Sequence, residues 1–129
     1  MGRSFAVGCQ PSEELEHMFD QSRQVQHRTA RLLRPGKRAG AVTDEVNALL
    51  KEMGLPEEHR IFTHGQGYDL IESPGFDLED DFVLQENMNI AIHPTYVTPG
   101  AFGFCCDNFQ ITAEGGKRLE KFQQDVIRL

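Results

Sequence analysis

The sequence predicts an α+β fold in which two helices come first and several strands follow. Apolar residues recur at helical spacing in the N-terminal part of the chain. Segments rich in β-forming residues follow in the C-terminal part. Helices grouped ahead of strands are typical of α+β proteins rather than of alternating α/β proteins. Because we find no repeat, linker or low-complexity stretch, we expect a single domain over residues 1–129.

The first helix is predicted over about 12–34, where apolar residues form one stripe. Ser12 is a good N-cap, because its hydroxyl can accept from the free N–H groups of the first turn. Glu13 and Glu14 then lie where the helix dipole favours acidic side chains. Pro35-Gly36 ends the helix.

The second helix is predicted over about 39–53 and ends at Gly54. Beyond the following loop the pattern changes to that of β-structure. Strands are predicted at about 89–97, 102–112 and 117–122, with a turn at Glu114-Gly115-Gly116 and a short terminal helix at about 124–129.

Composition excludes several classes of function. The net charge is -7 and the basic residues are scattered, so the chain carries no electrostatic footprint for nucleic acid. No apolar run approaches the roughly 20 residues that span a bilayer, and the N-terminus resembles no signal peptide. Three cysteines, two of them adjacent, make a poor disulfide framework. We therefore expect a reducing, cytoplasmic compartment.

Three short segments carry residues suited to chemistry. His64 precedes Gly65 and lies near Gly67, and glycines let a ligand approach the backbone, although such a histidine is more often a loop residue. Strand alternation places His93 on the face opposite its isoleucine neighbours. There it is either a metal ligand or a structural histidine with a polar partner. Alternation also separates Cys106 from its neighbours Cys105 and Asp107.

Taken in order, these segments resemble the C-terminal half of the pita-bread metallopeptidase family, which includes methionine aminopeptidase, aminopeptidase P, prolidase and creatinase. That family shows GHGxG, HExP, GMxxxIEP, a Glu-Asp pair on a strand and a VTxxG turn. The matching segments here are Thr63-His64-Gly65-Gln66-Gly67, Ile71-Glu72-Ser73-Pro74, Asn87 to Pro94, Cys106-Asp107 and Ile111 to Gly116, with Arg3-Ser4-Phe5 in place of an RTF strand. The resemblance implies half of a pita-bread fold, with two helices followed by a curved, mainly antiparallel sheet.

The same resemblance implies that a two-metal site is incomplete. The family binds two divalent metals through two aspartates, one histidine and two glutamates. His64 matches the histidine, whereas His93 and Cys106 stand at the two glutamate positions. Both aspartates would precede the first residue, and Ile71 replaces a substrate-handling histidine beside the pocket glycines Gly65 and Gly67.

Three interpretations remain open at this point. The chain is a degenerate relative without two-metal peptidase activity, whose pocket takes a small peptide or another small molecule. Alternatively, His64, His93 and Cys106 hold one divalent metal of the zinc type, with Glu72 or Asp107 as a catalytic base. The third interpretation is a fragment of a longer hydrolase. Since a half-sheet leaves an edge unpaired, we also expect a two-fold homodimer, and neither nucleic acid nor membrane as a partner.

Overall fold

The computed structural model describes residues 2–60 and 62–129 and confirms two helices followed by strands. The helices are α1 (Glu13–Leu32) and α2 (Ala39–Glu52), each within two residues of its predicted bounds. The Ser12 hydroxyl accepts from the Leu15 N–H at 3.2 Å, so the predicted N-cap is present. Within the described residues, neither helix is long and apolar enough to cross a membrane.

Across residues 2–60 and 62–129, eight short strands form one four-stranded sheet and two pairs. The four-stranded sheet has the order β2-β3-β6-β7 and is antiparallel throughout. One pair is parallel, β1 with β8, and the other is the hairpin of β4 and β5. The strands are β1 (Phe5–Ala6), β2 (Thr63–Gly65), β3 (Asn89–Ile92), β4 (Thr95–Val97), β5 (Phe102–Phe104), β6 (Asp107–Thr112), β7 (Gly115–Arg118) and β8 (Ile127–Arg128).

Both long predicted strands are divided in two. The break between β3 and β4 falls at Pro94, whose nitrogen carries no hydrogen for a ladder bond. The break between β5 and β6 falls at Cys106, where the N-terminal segment intervenes, because the Gly2 N–H donates to the Cys106 carbonyl at 2.8 Å.

Near the C-terminus, one predicted strand is present with other bounds and one predicted helix is absent from the described residues. The strand predicted at 117–122 begins earlier, at Gly115, because the glycines let β7 lie against α1, where a Cβ at Gly116 would meet the Ala30 carbonyl oxygen at 3.0 Å. Residues 124–129 form no helix, and Ile127–Arg128 form strand β8 instead. It pairs with β1, and Val126 joins a small apolar cluster with Ala6 and Phe19. A helix of six residues is too short to compete with that pairing.

The two faces of the four-stranded sheet differ in their surroundings. The first, which we call the core face, is covered by both helices through apolar residues such as Val25 and Val46. On it lie Thr63, Ile90, Ile92, Asp107, Phe109 and Ile111. The opposite side, the pocket face, carries His64, Asn89, Ala91, Asn108 and Gln110. By the same alternation, His93 and Cys106 lie just beyond the strand ends on the pocket face.

Candidate functional site

His64 lies in the middle of β2, so the interpretation as a loop residue is wrong. Its side chain is 4% exposed. The ring Nδ1 lies 2.8 Å from the carbonyl oxygen of Gly65, and because a carbonyl only accepts, Nδ1 carries the proton and donates. The distal nitrogen, Nε2, has no hydrogen bond with another described residue, and in the neutral tautomer it would accept a hydrogen bond or bind a metal ion.

His93 follows β3 and lies beside His64, with the two ring centroids 5.0 Å apart. Neither ring nitrogen of His93 forms a hydrogen bond with another described residue. The polar partner expected of a structural histidine is therefore not found among the described residues. Burial, with a smaller contribution from His64, lowers the pKa of His93 below its ordinary value. At neutral pH the side chain is thus an uncharged imidazole.

Cys106 approaches this pair through the sheet register. Ile92 pairs with Asp107, the last pair of this register, and His93 and Cys106 follow immediately beyond it on the two strands. Burial raises the pKa of the Cys106 thiol, which is protonated at neutral pH. Within residues 2–60 and 62–129, however, no three His, Cys, Asp or Glu side chains are grouped closely enough to hold a metal ion.

Asp107 lies on the other side of the sheet from Cys106, as alternation predicted. It is fully buried and bonded on both oxygens: Oδ1 accepts from Arg3 at 2.6 Å, and Oδ2 accepts from Arg118 at 2.9 Å and from Gln124. A carboxylate held by two guanidinium groups is a structural ion pair. Its role as a catalytic base stays a prediction, for which this geometry offers no support.

Glu72 belongs to the loop that follows β2 and closes that loop on itself. Its N–H donates to the Gly65 carbonyl at 2.9 Å, and its Oε1 accepts from the Asp69 N–H at 2.6 Å. A Cβ on Gly67 would lie 2.6 Å from the carboxylate of Glu72. A side chain at this position would therefore displace the Glu72 carboxylate from the bond that closes the loop.

The remaining expected pocket residues lie at the same loop. A Cβ on Gly65 would lie 2.3 Å from the Ser73 carbonyl oxygen. The group that approaches Gly65 closely is therefore the backbone of Ser73 rather than a ligand. Ile71 is 56% exposed. That Gly65, Gly67 and Ile71 line a substrate pocket stays a prediction.

Two pocket-face residues were missed by the sequence analysis. The ring of Phe104 lies 6.4 Å from that of His93, centroid to centroid. Asn108 faces Ala91 across the strands and donates from Nδ2 to Glu120, which leaves its buried Oδ1 without a partner among the described residues. Alternation from Cys106 reaches both positions, so the signal was present.

Comparison with protein-family models identifies the family to which this chain belongs. The model of metallopeptidase family M24 matches residues 1–121. The chain belongs to metallopeptidase family M24. Comparison with curated protein sequences found no match.

Solved structures of M24-type peptidases share the fold. An Xaa-Pro dipeptidase from Bacillus anthracis is 25% identical, with a TM-score of 0.82 over 98% of this chain and 36% of its own. The prolidase from Pyrococcus horikoshii is 28% identical, with a TM-score of 0.80 over 97% of this chain and 36% of its own. A methionine aminopeptidase from Thermotoga maritima, 19% identical, matches at a TM-score of 0.62 and shares the fold alone.

This M24 chain therefore spans about a third of the length of the prolidases it resembles. Its two helices and antiparallel sheet correspond to half of a pita-bread domain. The match confirms the fold and the family expected from the sequence.

The two-metal centre expected for the family does not fit the described pocket face. Two divalent cations a few ångströms apart need bridging carboxylates. The pocket face offers the imidazoles of His64 and His93 and the protonated thiol of Cys106, and the Glu120 carboxylate near them is bonded to Asn108. The carboxylates of Asp107 and Glu72 are bound elsewhere, to guanidinium groups and to a loop N–H respectively.

Proposed function

We propose that this M24 domain is a degenerate relative of the Xaa-Pro peptidases that binds a small ligand and lacks two-metal peptidase activity. One observation carries the proposal: His93 and Cys106 stand on the pocket face, while Asp107, the acid next to Cys106 in the chain, is turned to the core face and paired with Arg3 and Arg118, and the nearby Glu120 carboxylate accepts from Asn108. Without a bridging carboxylate, a second divalent ion has no neutralising ligand.

A hydrolysis assay tests this proposal. The purified chain is incubated with Xaa-Pro dipeptides and with longer peptides in the presence of Mn²⁺, Co²⁺ or Zn²⁺, and release of proline is measured. We expect the wild-type chain to match His64→Ala and the blank without protein. Turnover that a chelator abolishes and that His64→Ala loses would contradict the proposal, because it would show a working metal centre at this position.

A single zinc ion is a second candidate, and the separation of the imidazoles favours it. Two imidazoles that bind one tetrahedral ion at about 2.0–2.1 Å have ring centroids about 5 Å apart. The centroids of His64 and His93 lie 5.0 Å apart. Against this candidate stands the lack of a third ligand grouped with them among the described residues, so Cys106 would have to turn toward the pair.

Zinc titration separates the two candidates. The chain purified without chelator is analysed for metal content and then titrated with Zn²⁺ in competition with a chromophoric chelator. The metal-free proposal predicts the same weak binding for wild type and Cys106→Ser. A zinc site predicts one ion per chain with an affinity that falls in Cys106→Ser and in His93→Asn but not in Cys9→Ser, the matched control at an exposed cysteine.

We further propose the two-fold homodimer, which stays a prediction, as does the cytoplasmic location. Its support is apolar surface beside the β1–β8 pair, where Phe5, Val7 and Leu129 are 55%, 70% and 73% exposed. Association would remove this surface from water. Light scattering checks it: we expect a dimer that Val7→Lys converts to a monomer, and a monomeric wild type at micromolar concentration would eliminate it.

A further inference from the structure

A groove of about 600 Å³ lies between α1, β4 and the loop that precedes β2. The N-terminal half of α1 lines it through residues such as Glu14, His17 and Gln21, and the loop lines it through residues 56–58 and 60. The remaining lining residues are those of β4 and Thr98. None of these residues belongs to the pocket face, so the groove is a surface that the proposed function does not use.

Strand β4 has an open edge beside this groove, because among the described strands it pairs with β5 alone. The Thr98 N–H donates to the Ala101 carbonyl across the hairpin at 2.9 Å, so by alternation Val97 directs its own N–H and carbonyl away from β5. On that side the Thr95 carbonyl accepts from Arg60 at 3.2 Å. The backbone groups of Val97 bond no described residue, and Val97 is 66% exposed. Val97 thus offers one free donor and one free acceptor to another strand.

The groove is acidic. Glu14, Glu57 and Glu58 line it, and Arg60 is the one lysine or arginine among the lining residues. The Arg60 guanidinium is already bound to the Glu58 carboxylate through two hydrogen bonds, at 2.8 and 2.7 Å. Neither Glu14 nor Glu57, which is 60% exposed and lies 3.9 Å from His59, is paired with an arginine or lysine in the described chain. A ligand complementary to the groove therefore carries positive charge.

Tyr96 adds a hydrogen-bonding group to the groove. Its ring packs against the main apolar core, and the residue also lines the groove. Burial raises the pKa of Tyr96 to about 12, so the phenol keeps its proton at neutral pH. The hydroxyl forms no hydrogen bond with a described residue. Because a half-buried phenol ordinarily has a partner, a chain bound in the groove would supply one.

We propose that this groove binds an extended basic segment of a partner protein, which pairs its backbone with the edge of β4 at Val97 and directs a lysine or arginine side chain to Glu14 and Glu57. In this mode of recognition the main-chain hydrogen bonds give affinity, and the contacts of alternate side chains give specificity. The inference goes beyond the proposed function and does not depend on it, because no pocket-face residue takes part.

Other occupants fit the groove less well. A helix bonds its own backbone groups and would leave those of Val97 unpaired. An acidic segment or a nucleic acid would bring its negative charge against Glu14 and Glu57. A second copy of this chain, docked edge to edge along β4, would meet the same repulsion, because a two-fold axis brings the same acidic side chains of both copies together.

Fluorescence anisotropy of labelled peptides tests the proposal. Three hexapeptides are each titrated with the full chain at an ionic strength of about 0.15 M: alternating lysine–valine, alternating glutamate–valine, and lysine–valine methylated at every backbone nitrogen. We expect the lysine–valine peptide to bind saturably. The methylated peptide has the same charge but no backbone donors, so it should bind at least about tenfold more weakly. Equal binding of the two basic peptides, preference for the acidic peptide, or no saturable binding would overturn the proposal.

Two pairs of variants locate the bound segment. Val97→Pro removes the N–H at the open edge and should weaken the lysine–valine peptide about two- to tenfold, whereas Val97→Thr keeps that N–H and should bind as wild type does. Glu57→Gln should weaken the peptide about two- to tenfold. Glu86→Gln changes the net charge equally at an exposed acid outside the groove and should leave binding unchanged. A pair whose two members bind alike would overturn the placement of the segment in this groove.

Discussion

The two faces of the β3–β6 pair handle polar side chains in opposite ways. On the core face, Asp107 is fully buried and both of its oxygens are bonded, to Arg3, Arg118 and Gln124. On the pocket face, His93 has no side-chain hydrogen bond with a described residue, and His64 Nε2 likewise bonds none of them. The contrast concerns the ionisable side chains, since the core-face Thr63 Oγ1 in β2 also lacks a described partner, and a polar group without a protein partner is free to bond water or a ligand.

The polar network of the core face also joins distant parts of the chain. Gln26 of α1, fully buried, donates to the carbonyls of Ile92 and Cys105 at 2.8 and 3.3 Å and accepts from Gln124 at 2.6 Å. Through Gln124 it reaches Asp107. One network thus connects the helix, the central strands and both ends of the described chain.

The largest effect is expected from Asp107→Ala, which breaks the core-face network. It leaves the side chain of Arg3, only 4% exposed, as a buried charge without its carboxylate. We expect a loss of about 3–5 kcal/mol in the free energy of unfolding, measured by urea denaturation. The matched control is Asp81→Ala, which removes the exposed pair with Arg38 and should change stability by no more than about 0.5 kcal/mol. Similar losses in the two variants would show that the buried network is not the stabilising feature.

The opposite sign is expected for His93→Leu on the pocket face. His93 is half-buried, so its imidazole is partly removed from water without a hydrogen bond to another described residue, and an apolar side chain of similar size should raise stability by about 0.5–1 kcal/mol. The same denaturation experiment measures it. A loss above about 2 kcal/mol would mean that His93 has a structural partner and that the two faces do not differ as described.

A smaller contrast concerns the three thiols. Burial raises the pKa of Cys105 on the core-face side to about 11, so at pH 8 only about one molecule in a thousand carries the thiolate. Cys106 is partly exposed and Cys9 is exposed. Alkylation with iodoacetamide, followed by mass spectrometry of peptides, should label Cys9 first, Cys106 next and Cys105 last. Labelling of Cys105 before Cys106 would contradict the assignment of Cys105 to the buried core-face side and of Cys106 to the pocket face.

The helices could be predicted from sequence because their signals are local. Ser12 caps the residues immediately after it, and Pro35-Gly36 ends α1 whatever else the chain does. Strand β8 could not be predicted, since Ile127 and Arg128 become a strand only by pairing with β1 near the other end of the chain. Its short apolar pattern fits a helix equally well.

The site shows the same division between local and distant information. Alternation within one strand correctly separated Cys106 from Asp107. The approach of His64 to His93 depends on the register of β2 against β3, which follows from packing rather than from the composition of either strand. The approach of the two histidines was expected only through the family resemblance. The loss of carboxylates from the site was expected on the same ground.

Binding of Mn²⁺ tests the absence of a two-metal centre most directly. Equilibrium dialysis gives the number of ions per chain, and electron paramagnetic resonance shows whether two ions are magnetically coupled. We predict fewer than about one Mn²⁺ per chain at about 0.1 mM free ion and no coupled signal, because imidazole and thiol groups without carboxylates hold this hard cation weakly. Two coupled Mn²⁺ ions per chain, lost in His64→Ala, would contradict the account.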